Sequence, residues 1–560
     1  MLLAEVAATS DAVAATRSRL AKRAAIADLL RRAARDAAVT GGPGAPEGSA
    51  GDDVEIVVSY LAGELRQRRT GLGWASLRAL PPPAAAPTLT VQAVDAVFEH
   101  MAGLAGPGSD TARSAAASAL FAAATEREQS FLRGLVAGDL RQGALDALVV
   151  DAVAEAAGIP LDAVRRAAML RGASGPVARA ALEADGPTAA LTALAGFGLE
   201  VGRPVRPMLA QSAPDVAAAF DKLGVSAETD DRAHQVSVDV KLDGIRIQVH
   251  RDGDRVRVFT RSLDDITSRV PEIVADARSL ASERFVLDGE ALVVGPDGVA
   301  RPFQETAARS ATRDAPGAPD GEAEAEAEDA TLAGGLALRP YFFDVLHADG
   351  RDLIDAPLRE RLVVLDRVAD SFRVRRLTTS SPGAATQYFL ETVREGDEGV
   401  VVKSLDAPYA AGRRGAGWIK VKPRHTLDLV VLAVERGSGR RTGLLSNIHL
   451  GARDPQTGGF VMLGKTFKGM TDEMLRWQTE RFRELEVADD GWTVTLRPEQ
   501  VVEIAFDGLQ RSTRYPGGLA LRFARVLRYR DDKTAAEADT IEGVRAFMGP
   551  GSVYTESGGS

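Results

Sequence analysis

The chain has 560 residues, of which 45% are hydrophobic and 26% are charged, and its formal net charge is −10. A chain of this length is expected to form about three domains rather than one core. It contains no cysteine and only six histidines, which excludes disulfides, thiol nucleophiles and cysteine-ligated zinc. A metal ion, if one is used, should be a hard cation bound by carboxylates and substrate phosphates.

Acidic and basic residues are distributed unevenly along the chain. The stretch "RDAPGAPDGEAEAEAED" (Arg313 to Asp329) contains seven acidic residues and one basic residue. In contrast, "LQRSTRYPGGLALRFARVLRYRDDK" near the C-terminus contains seven basic residues and two acidic ones. Because the local concentration of charge decides where a polyanion binds, the negative net charge does not exclude nucleic acid as a partner.

The start of the chain lacks the pattern of a targeting segment. "MLLAEVAATSDAVAATRSRL" places Glu5 and Asp11 among its apolar residues, and no run of eighteen apolar residues occurs anywhere. The sequence therefore predicts neither a signal peptide nor a membrane span, and it favours residence in the cytoplasm.

Residues 1–200 predict an all-helical domain. They are rich in Ala, Leu and Arg at helical spacing, and glycines end several of the candidate helices. Three turns contain glycine: "RTGLG" (Arg69 to Gly73), "AGDLRQGA" (Ala137 to Ala144) and "MLRGASGP" (Met169 to Pro176). Each would open a helix whose N-terminal amides can face phosphates.

Short β-rich runs begin near Arg203 and predict an α+β domain with antiparallel sheets over residues 203–424. In "VDVKLDGIRIQVHRDG" (Val238 to Gly253), alternating apolar residues predict paired strands, and Asp243-Gly244 and Asp252-Gly253 are hairpin signals. Residues 312–335 form a low-complexity insert that predicts a disordered surface loop.

Strands dominate residues 425–548. Five β-rich runs and one helical segment, "TDEMLRWQTERFREL", predict a small β-barrel of the oligonucleotide-binding type. Residues 549–560 predict a flexible tail.

Lys241 is the first candidate for chemistry, because it ends an alternating strand just before a turn, where its side chain can point into a cleft. A lysine that attacks phosphorus must be neutral, whereas an ordinary lysine has a pKa of roughly 10.4. Nearby arginines, lysines and a metal ion would lower that pKa. A lone Lys-x-Asp-Gly is a weak signal, and a solvated lysine beside a hairpin turn is the alternative.

Further motifs follow this lysine in a fixed order. They are "KLDGIR" (Lys241 to Arg246), "FTRSLDDIT", "LDGE", "YFFDVL", "DEGVVVKS", "GRRGAGWIKVKP" and "LRFARVLRYRDDK". Their order and spacing over residues 203–533 resemble the covalent nucleotidyltransferases, and most closely the ATP-dependent DNA ligases. The resemblance implies an enzyme of DNA replication, repair or recombination that uses ATP and Mg²⁺. It would seal nicks through a lysyl-AMP intermediate, transfer of AMP to the 5′-phosphate and attack by the 3′-hydroxyl.

The resemblance also implies a role for each domain. Residues 1–200 would be a helical DNA-binding domain, and residues 203–424 a nucleotidyltransferase (adenylation) domain with ATP-grasp-like antiparallel sheets. Residues 425–548 would be an OB-fold domain. The expected partner is nicked double-stranded DNA, bound by a monomeric, cytoplasmic and nucleoid-associated enzyme without membrane contact.

The nucleotide site implied by the resemblance centres on Lys241, which would carry AMP. Arg246 and Arg261 would contact the ribose and phosphate, and Lys420 the α-phosphate. Further nucleotide contacts are implied for Glu290 near the ribose, Phe343 on adenine, Lys403, Arg414 and Lys422.

Two positions keep alternatives open. Asp239 stands where the family usually has glutamate, so either its shorter side chain or a nearby backbone carbonyl would accept the adenine amino group. Glu290 and Glu398 are the candidate Mg²⁺ ligands because carboxylates suit this hard ion; the alternatives are that Asp288 is the ligand instead of Glu290, or that both are ordinary turn acids.

The last motif contains Arg522, Arg525 and Lys533. In the enzymes that it resembles, this motif orients the pyrophosphate, whereas a basic face for DNA phosphates is the alternative. The rival functions are an mRNA capping guanylyltransferase, an RNA ligase and a non-catalytic DNA-binding scaffold. The long helical N-terminal part argues against the first two, and the complete motif set argues against the third.

Overall fold

The structure is a computed structural model. It describes residues 1–40, 52–67, 70–73, 77, 80–140, 142, 146–225, 235–295, 300–301, 303–311, 337–410, 414–423, 425–438 and 441–547. The predicted disordered insert 312–335 and the predicted tail 549–560 lie outside the described residues.

The N-terminal part is helical, as its composition predicts. Its described helices are α1 (Leu3–Ala15), α2 (Arg19–Thr40), α3 (Asp52–Ala62), α4 (Val91–Gly103), α5 (Ser109–Ala123), α6 (Glu126–Val136), α7 (Asp146–Ala157), α8 (Leu161–Arg171), α9 (Gly175–Leu182) and α10 (Pro187–Ala195). One hydrophobic core extends from Leu3 to Leu194 and joins them, so this region, called the helical body below, packs as a unit. Helix α6 begins with a capping box between Thr125 and Glu128, which satisfies amides at its start.

The glycine turns of the helical body differ in their surroundings. A Cβ at Gly138 would meet open space, so the turn after α6 is accessible. A Cβ at Gly172 would lie 2.8 Å from the carbonyl oxygen of Pro204, and one at Gly175 would lie 3.3 Å from that of Glu55. These two glycines therefore permit close packing within the protein. The "RTGLG" turn is only partly within the described residues.

Two five-stranded sheets form the middle of the chain. The described elements are β1 (Leu209–Ala213), α11 (Val216–Leu223), β2 (Val236–Lys241), β3 (Ile245–Asp252), β4 (Arg255–Thr260), α12 (Pro271–Ser279), β5 (Arg284–Val293), α13 (Phe303–Ala311), β6 (Leu338–Ala348), β7 (Arg351–Asp352), α14 (Leu358–Ala369), β8 (Arg376–Thr379), α15 (Pro382–Arg394), β9 (Gly399–Ser404) and β10 (Arg414–Val421). The strand orders are β1-β10-β9-β2-β8 and β4-β3-β5-β6-β7, and all pairs are antiparallel except β1 with β10.

The turn at Asp243-Gly244 is not a hairpin, and that part of the sequence prediction is wrong. Strand β2 belongs to the first sheet and β3 to the second, so the chain crosses between sheets here. A Cβ at Gly244 would lie 2.3 Å from the carbonyl oxygen of Ala291, which only glycine avoids. The predicted hairpin at Asp252-Gly253 is confirmed, because β3 pairs with β4 and Gly253 has a φ of +59°.

The C-terminal part is a mainly antiparallel sheet with one long helix. Its described elements are β11 (His425–Arg436), β12 (Leu445–Arg453), β13 (Phe460–Thr466), α16 (Asp472–Glu484), β14 (Glu486–Asp489), β15 (Thr493–Leu496), β16 (Val501–Phe506), β17 (Gly508–Arg511), β18 (Leu519–Arg522), β19 (Arg525–Tyr529) and α17 (Ile541–Arg545). Strand β11 pairs with β12, β15 and β16, and β16 pairs with β19. The predicted antiparallel strands are confirmed. No strand pairing among the described residues closes this sheet into a ring, so the predicted barrel is not confirmed.

The helical body contacts the middle of the chain through ion pairs. Arg206, which precedes β1, bonds Asp146 of α7 with its Nη2 at 3.1 Å and the Ser174 hydroxyl at 2.9 Å. Arg166 of α8 bonds Asp355 before α14 at 2.7 Å. In the described part of the chain, no helix is both long and apolar enough to cross a membrane.

A buried ion pair holds α14 against β6. Arg361 and Asp344 form a two-pronged pair at 2.7 and 3.0 Å, and both side chains are fully buried. Arg361 also donates to the carbonyl of Ala407 at 3.1 Å. Removal of one partner leaves the other charge buried without compensation, which is far costlier than loss of an exposed pair.

We expect Arg361→Met to lower the free energy of unfolding by about 3–5 kcal/mol, because Asp344 loses its partner. Urea unfolding followed by circular dichroism measures the change. Arg359→Met is the matched control, since Arg359 lies on the same helix but pairs with Asp406 at the surface, where the two side chains are 43% and 67% exposed. It should change stability by about 1 kcal/mol or less, and an equal loss in both variants would contradict the importance of burial.

Candidate active site

Lys241 lies at the end of β2, where the two five-stranded sheets face each other across a cavity of about 680 Å³. Residues from both sheets line this cavity, together with Phe303 at the start of α13. The predicted site residues among its lining are Asp239, Lys241, Arg246, Arg261, Glu290, Phe343, Lys403 and Lys420. The crossover at Gly244 thus gives Lys241 its position, because it puts the end of β2 at the mouth between the sheets.

Glu398 lies between two lysines at the cavity edge. Its carboxylate contacts the Nζ atoms of both Lys241 and Lys422, and its backbone N–H donates to the Lys241 carbonyl at 3.1 Å. Gly399 follows with a φ of +135°, and a Cβ there would lie 2.3 Å from the carbonyl oxygen of Val421. Glycine at this position therefore lets β9 start close enough to β10 for one carboxylate to reach both lysines.

Positive charge is concentrated beside Lys241. Burial lowers the pKa of Lys420, and the charges of Lys422 and Lys241 lower it further, although Glu398 and Asp507 oppose them. Burial alone would also lower the pKa of Lys422, but Glu398 outweighs it and raises that pKa. Such a cluster is suited to a polyphosphate, whose negative charge would replace the carboxylate partners.

Two aromatic rings and a buried ion pair form the far end of the cavity. The rings of Phe343 and Trp418 meet edge to face at 5.7 Å. The Nζ of Lys403 lies 4.7 and 4.4 Å from their centroids, donates to the Phe343 carbonyl at 3.2 Å and pairs with Asp239 at 2.5 Å. This end can hold a planar base by stacking. The hydroxyl of Ser237 donates to the other Asp239 oxygen at 2.5 Å.

Arg246 lies beside the two rings at the aromatic end of the cavity. Its guanidinium forms a two-pronged bond with Asp288 at 2.9 and 2.6 Å and lies 4.9 Å from the Phe343 centroid. Burial alone would lower the pKa of Arg246, but Asp288 outweighs that effect and raises it. Asp288 also accepts from the Tyr409 hydroxyl at 2.6 Å, so its oxygens already have strong partners and the alternative of Asp288 as a metal ligand is not favoured.

Glu290 is the acidic group most perturbed by the cavity. Burial raises its pKa to about 7, although Arg246 and Lys241 act in the opposite direction. Within the described residues, no group of three acidic or histidine side chains could hold a metal ion by itself. Glu290 and Glu398 together still fit Mg²⁺, since this ion commonly binds one or two carboxylates and completes its shell with water and phosphate oxygens.

The predicted C-terminal residues fall into two groups. Arg522 donates to Asp243 at 2.7 Å and lies 5.1 Å from the Phe303 centroid, so it reaches the cavity mouth. Arg525 bonds Asp507 at 3.2 Å, and Asp507 also bonds Lys422 at 3.3 Å. Lys533 instead pairs with Asp428 of β11 at 2.6 Å, and the structure does not bring it to the cavity.

Arg414 starts β10, and its side chain lies outside what the structure describes.

Sequence analysis missed three residues that complete the site. Trp418 lies two residues before Lys420 and could have been found as an aromatic residue within the lysine motif. Asp507 and Tyr409 had no local signal, because tertiary contacts alone bring them to Lys422 and Asp288.

Comparison with known proteins agrees with this geometry. Residues 207–422 match the family model "ATP dependent DNA ligase domain", residues 441–533 match "ATP dependent DNA ligase C terminal region" and residues 78–154 match "DNA ligase N terminus". The "Probable DNA ligase" of Beutenbergia cavernae is 72% identical over 98% of this chain and 100% of the relative. That of Nocardioides sp. is 58% identical over 98% and 99%.

A solved structure with low sequence identity also has a similar fold. The solved structure "Pmar-Lig_PreS3" is similar with a TM-score of 0.56 at 17% identity, over 94% of this chain and 99% of that one. The chain belongs to the ATP-dependent DNA ligase family.

The raised pKa of Glu290 gives a testable pH dependence. The folded chain holds this proton more strongly than the unfolded chain between pH 4.5 and about 7. The free energy of unfolding of the wild type should therefore fall relative to Glu290→Gln as the pH rises through this window, by up to about 3 kcal/mol. Unfolding in urea at pH 5 and pH 8, without nucleotide, measures the difference.

Glu391→Gln, at an exposed position of α15, is the control for this titration. It should shift the unfolding curve equally at both pH values. A pH-independent offset for Glu290→Gln would show that the carboxyl is ionised throughout the window.

Proposed function

We propose that this chain seals nicks in duplex DNA with ATP and that Lys241 is the residue that carries AMP. The observation behind the assignment is the position of Lys241 at the mouth of a cavity that has an aromatic end and a cationic end. The family is an ATP-dependent one, and Mg²⁺ is its metal. A neutral Lys241 Nζ attacks the α-phosphorus of ATP, a phosphoramidate bond forms, and pyrophosphate leaves with the electron pair of the broken bond.

Each part of the cavity has a role in that step. Phe343 and Trp418 bind the base, with Lys403 and Asp239 beneath them, and Arg246 binds the sugar or phosphate. Lys420, Lys422 and Arg522 neutralise charge on the phosphates. Glu398 contacts the Lys241 Nζ and is placed to accept its proton. A Mg²⁺ ion held by Glu290 and Glu398 would supply further positive charge to the phosphates.

The two later steps use the DNA ends. The 5′-phosphate attacks the α-phosphorus of lysyl-AMP, which releases Lys241 as an amine and leaves AMP on the DNA. The 3′-hydroxyl then attacks the adenylylated phosphate, which forms the phosphodiester and releases AMP. We also propose a role for each domain. Residues 1–200 bind DNA, residues 203–424 catalyse adenylation and residues 425–548 form an OB-type domain.

An exposed aromatic and basic surface supports a nucleic-acid partner for the C-terminal part. Phe467 and Phe523 are 51% and 57% exposed and lie on adjacent turns, since the Val526 amide donates to the Lys468 carbonyl at 2.9 Å. The Nζ of Lys468 lies 5.5 Å from the Phe523 centroid. Phe523 has a φ of +55°, which is strained for a bulky residue. Exposed rings among cations suit contact with bases and backbone phosphates.

This surface adjoins the cavity. Arg522 precedes Phe523 and bonds Asp243 beside Lys241. A duplex on the aromatic surface would therefore bring its nick near the lysyl-AMP. The roles of individual residues and the monomeric state stay predictions.

The nucleophile can be tested by intact mass. After incubation with ATP and Mg²⁺, the wild type should gain one AMP, whereas Lys241→Ala and Lys241→Arg should gain none, because a guanidinium stays protonated and cannot attack. Lys222→Arg, at an exposed position of α11, is the control and should gain AMP normally. Stoichiometric adenylylation of either Lys241 variant would refute the assignment.

The DNA surface can be tested without chemistry. Phe467→Ala should weaken binding of a nicked duplex by about tenfold, as expected for the loss of one aromatic contact, while formation of lysyl-AMP in the absence of DNA stays normal. Fluorescence anisotropy with labelled DNA measures the affinity. Trp492→Ala is the matched control, since Trp492 is at least as exposed, at 61%, but lies on the β14–β15 hairpin. If Trp492→Ala weakens binding as much as Phe467→Ala does, the proposed DNA surface is wrong.

A further inference from the structure

Tyr409 lies behind the nucleotide cavity and has no contact with its interior. The residue is buried, it is absent from the cavity lining, and its ring meets Trp418 edge to face at 6.0 Å. Its hydroxyl makes two hydrogen bonds, accepting from the Met208 amide at 2.9 Å and donating to Asp288 at 2.6 Å. A phenol in this setting can act on the nucleotide only through its neighbours.

The direction of these two bonds fixes the hydroxyl proton. Because the Met208 amide can only donate, the phenol oxygen must accept there, and its single proton is left for Asp288. Burial raises the pKa of Tyr409 well above its ordinary value, and the charge of Asp288 raises it further, so the proton stays on the phenol. Tyr409 is therefore a constant donor to the carboxylate.

Asp288 transmits this constraint to Arg246. One carboxylate oxygen accepts from Arg246 Nε at 2.9 Å, and the other accepts from both Arg246 Nη2 at 2.6 Å and Tyr409. With the phenol in place, the carboxylate plane cannot rotate without breaking a strong bond to a charged group. The carboxylate plane in turn sets the plane of the guanidinium, which lies over Phe343.

The other end of this chain of bonds reaches the helical body. Met208 lies two residues after Arg206, whose backbone amide donates to the Met169 carbonyl of α8 at 3.1 Å. Met169 and Leu170 pack in one apolar cluster with Val205, Met208 and Tyr409. The amide that orients Tyr409 is thus held by the packing between the helical body and the sheets.

We propose that Tyr409 is a positioning residue for the nucleotide reaction: through Asp288 it fixes the plane in which Arg246 meets ATP, and the segment bound to the helical body holds Tyr409 in turn. The proposal rests on the proposed function, because it concerns how the same cavity binds ATP.

The test is Tyr409→Phe in the full-length chain, which keeps the ring and removes only the hydroxyl. Lysyl-AMP formation is followed in single turnovers over a range of ATP concentrations. The half-saturating ATP concentration should rise by about tenfold, the value for loss of one bond to a charged group, while the maximal rate changes by less than about threefold. Tyr529→Phe removes a hydroxyl that bonds Gln478 at 2.6 Å in the C-terminal part and should leave both values unchanged.

A double-variant cycle separates positioning from a merely structural effect. If Tyr409 acts through Arg246, Arg246→Lys with Tyr409→Phe should bind ATP no more weakly than Arg246→Lys alone, because the guanidinium plane no longer exists. Additive losses, or an unchanged half-saturating concentration in Tyr409→Phe, would overturn the proposal. Absence of lysyl-AMP in the wild type would instead refute the proposed function.

The link between Tyr409 and the helical body is tested with a separate variant. Asp146 lies on the helical body, far from the cavity in sequence. Asp146→Asn removes its charge and so weakens the bond that it accepts from Arg206. The half-saturating ATP concentration should rise in this variant too, with the maximal rate nearly unchanged. If it does not, Tyr409 is held by Met208 without help from the helical body, and that half of the proposal is wrong.

Discussion

The shared carboxylate of Glu398 is the contact on which the arrangement of the site depends. It holds Lys241 and Lys422 together, although two ammonium groups so close would otherwise repel each other. Lys422 also forms an ion pair with Asp507, so the same cluster connects the C-terminal part to the cavity. The cations for a triphosphate can thus be assembled before it arrives, because carboxylates neutralise them until then. When a nucleotide binds, its phosphates take the place of the carboxylates as partners of the lysines. An acidic chain can in this way contain a cationic site.

The fit of an aspartate at position 239 follows from its partner. A buried lysine is costly unless it is paired, and Lys403 is paired by Asp239 and bonded to the Phe343 carbonyl. The shorter side chain leaves room for Ser237 to donate to it within the same strand. Asp239 therefore supports the aromatic end of the cavity, because it neutralises the lysine that lies beside the two rings.

The sequence predicted the parts of the site that lie in contiguous motifs. Lys241, Arg246, Glu290, Phe343 and Lys403 line one cavity, and each lies on a strand that the alternation of apolar residues had indicated. It could not predict the crossover at Gly244, since an Asp-Gly pair signals a hairpin unless a carbonyl from a distant strand occupies the Cβ position. Tyr409 and Asp507 were missed for the same reason, because their partners are distant in sequence. Lys533 follows the motif pattern but is held by Asp428 in the C-terminal sheet.

The contacts that hold the three parts of the chain together differ in strength. The helical body is joined to the sheets by the pair of Arg206 with Asp146 and by an apolar cluster around Met169, and the buried surface of that cluster resists separation. The C-terminal part is joined to the cavity by pairs such as Arg522 with Asp243, which are partly exposed and contribute about 1 kcal/mol or less each. The C-terminal part is therefore the one whose contacts at the cavity mouth cost least to break, whereas separation of the helical body would expose the apolar cluster that packs on Tyr409.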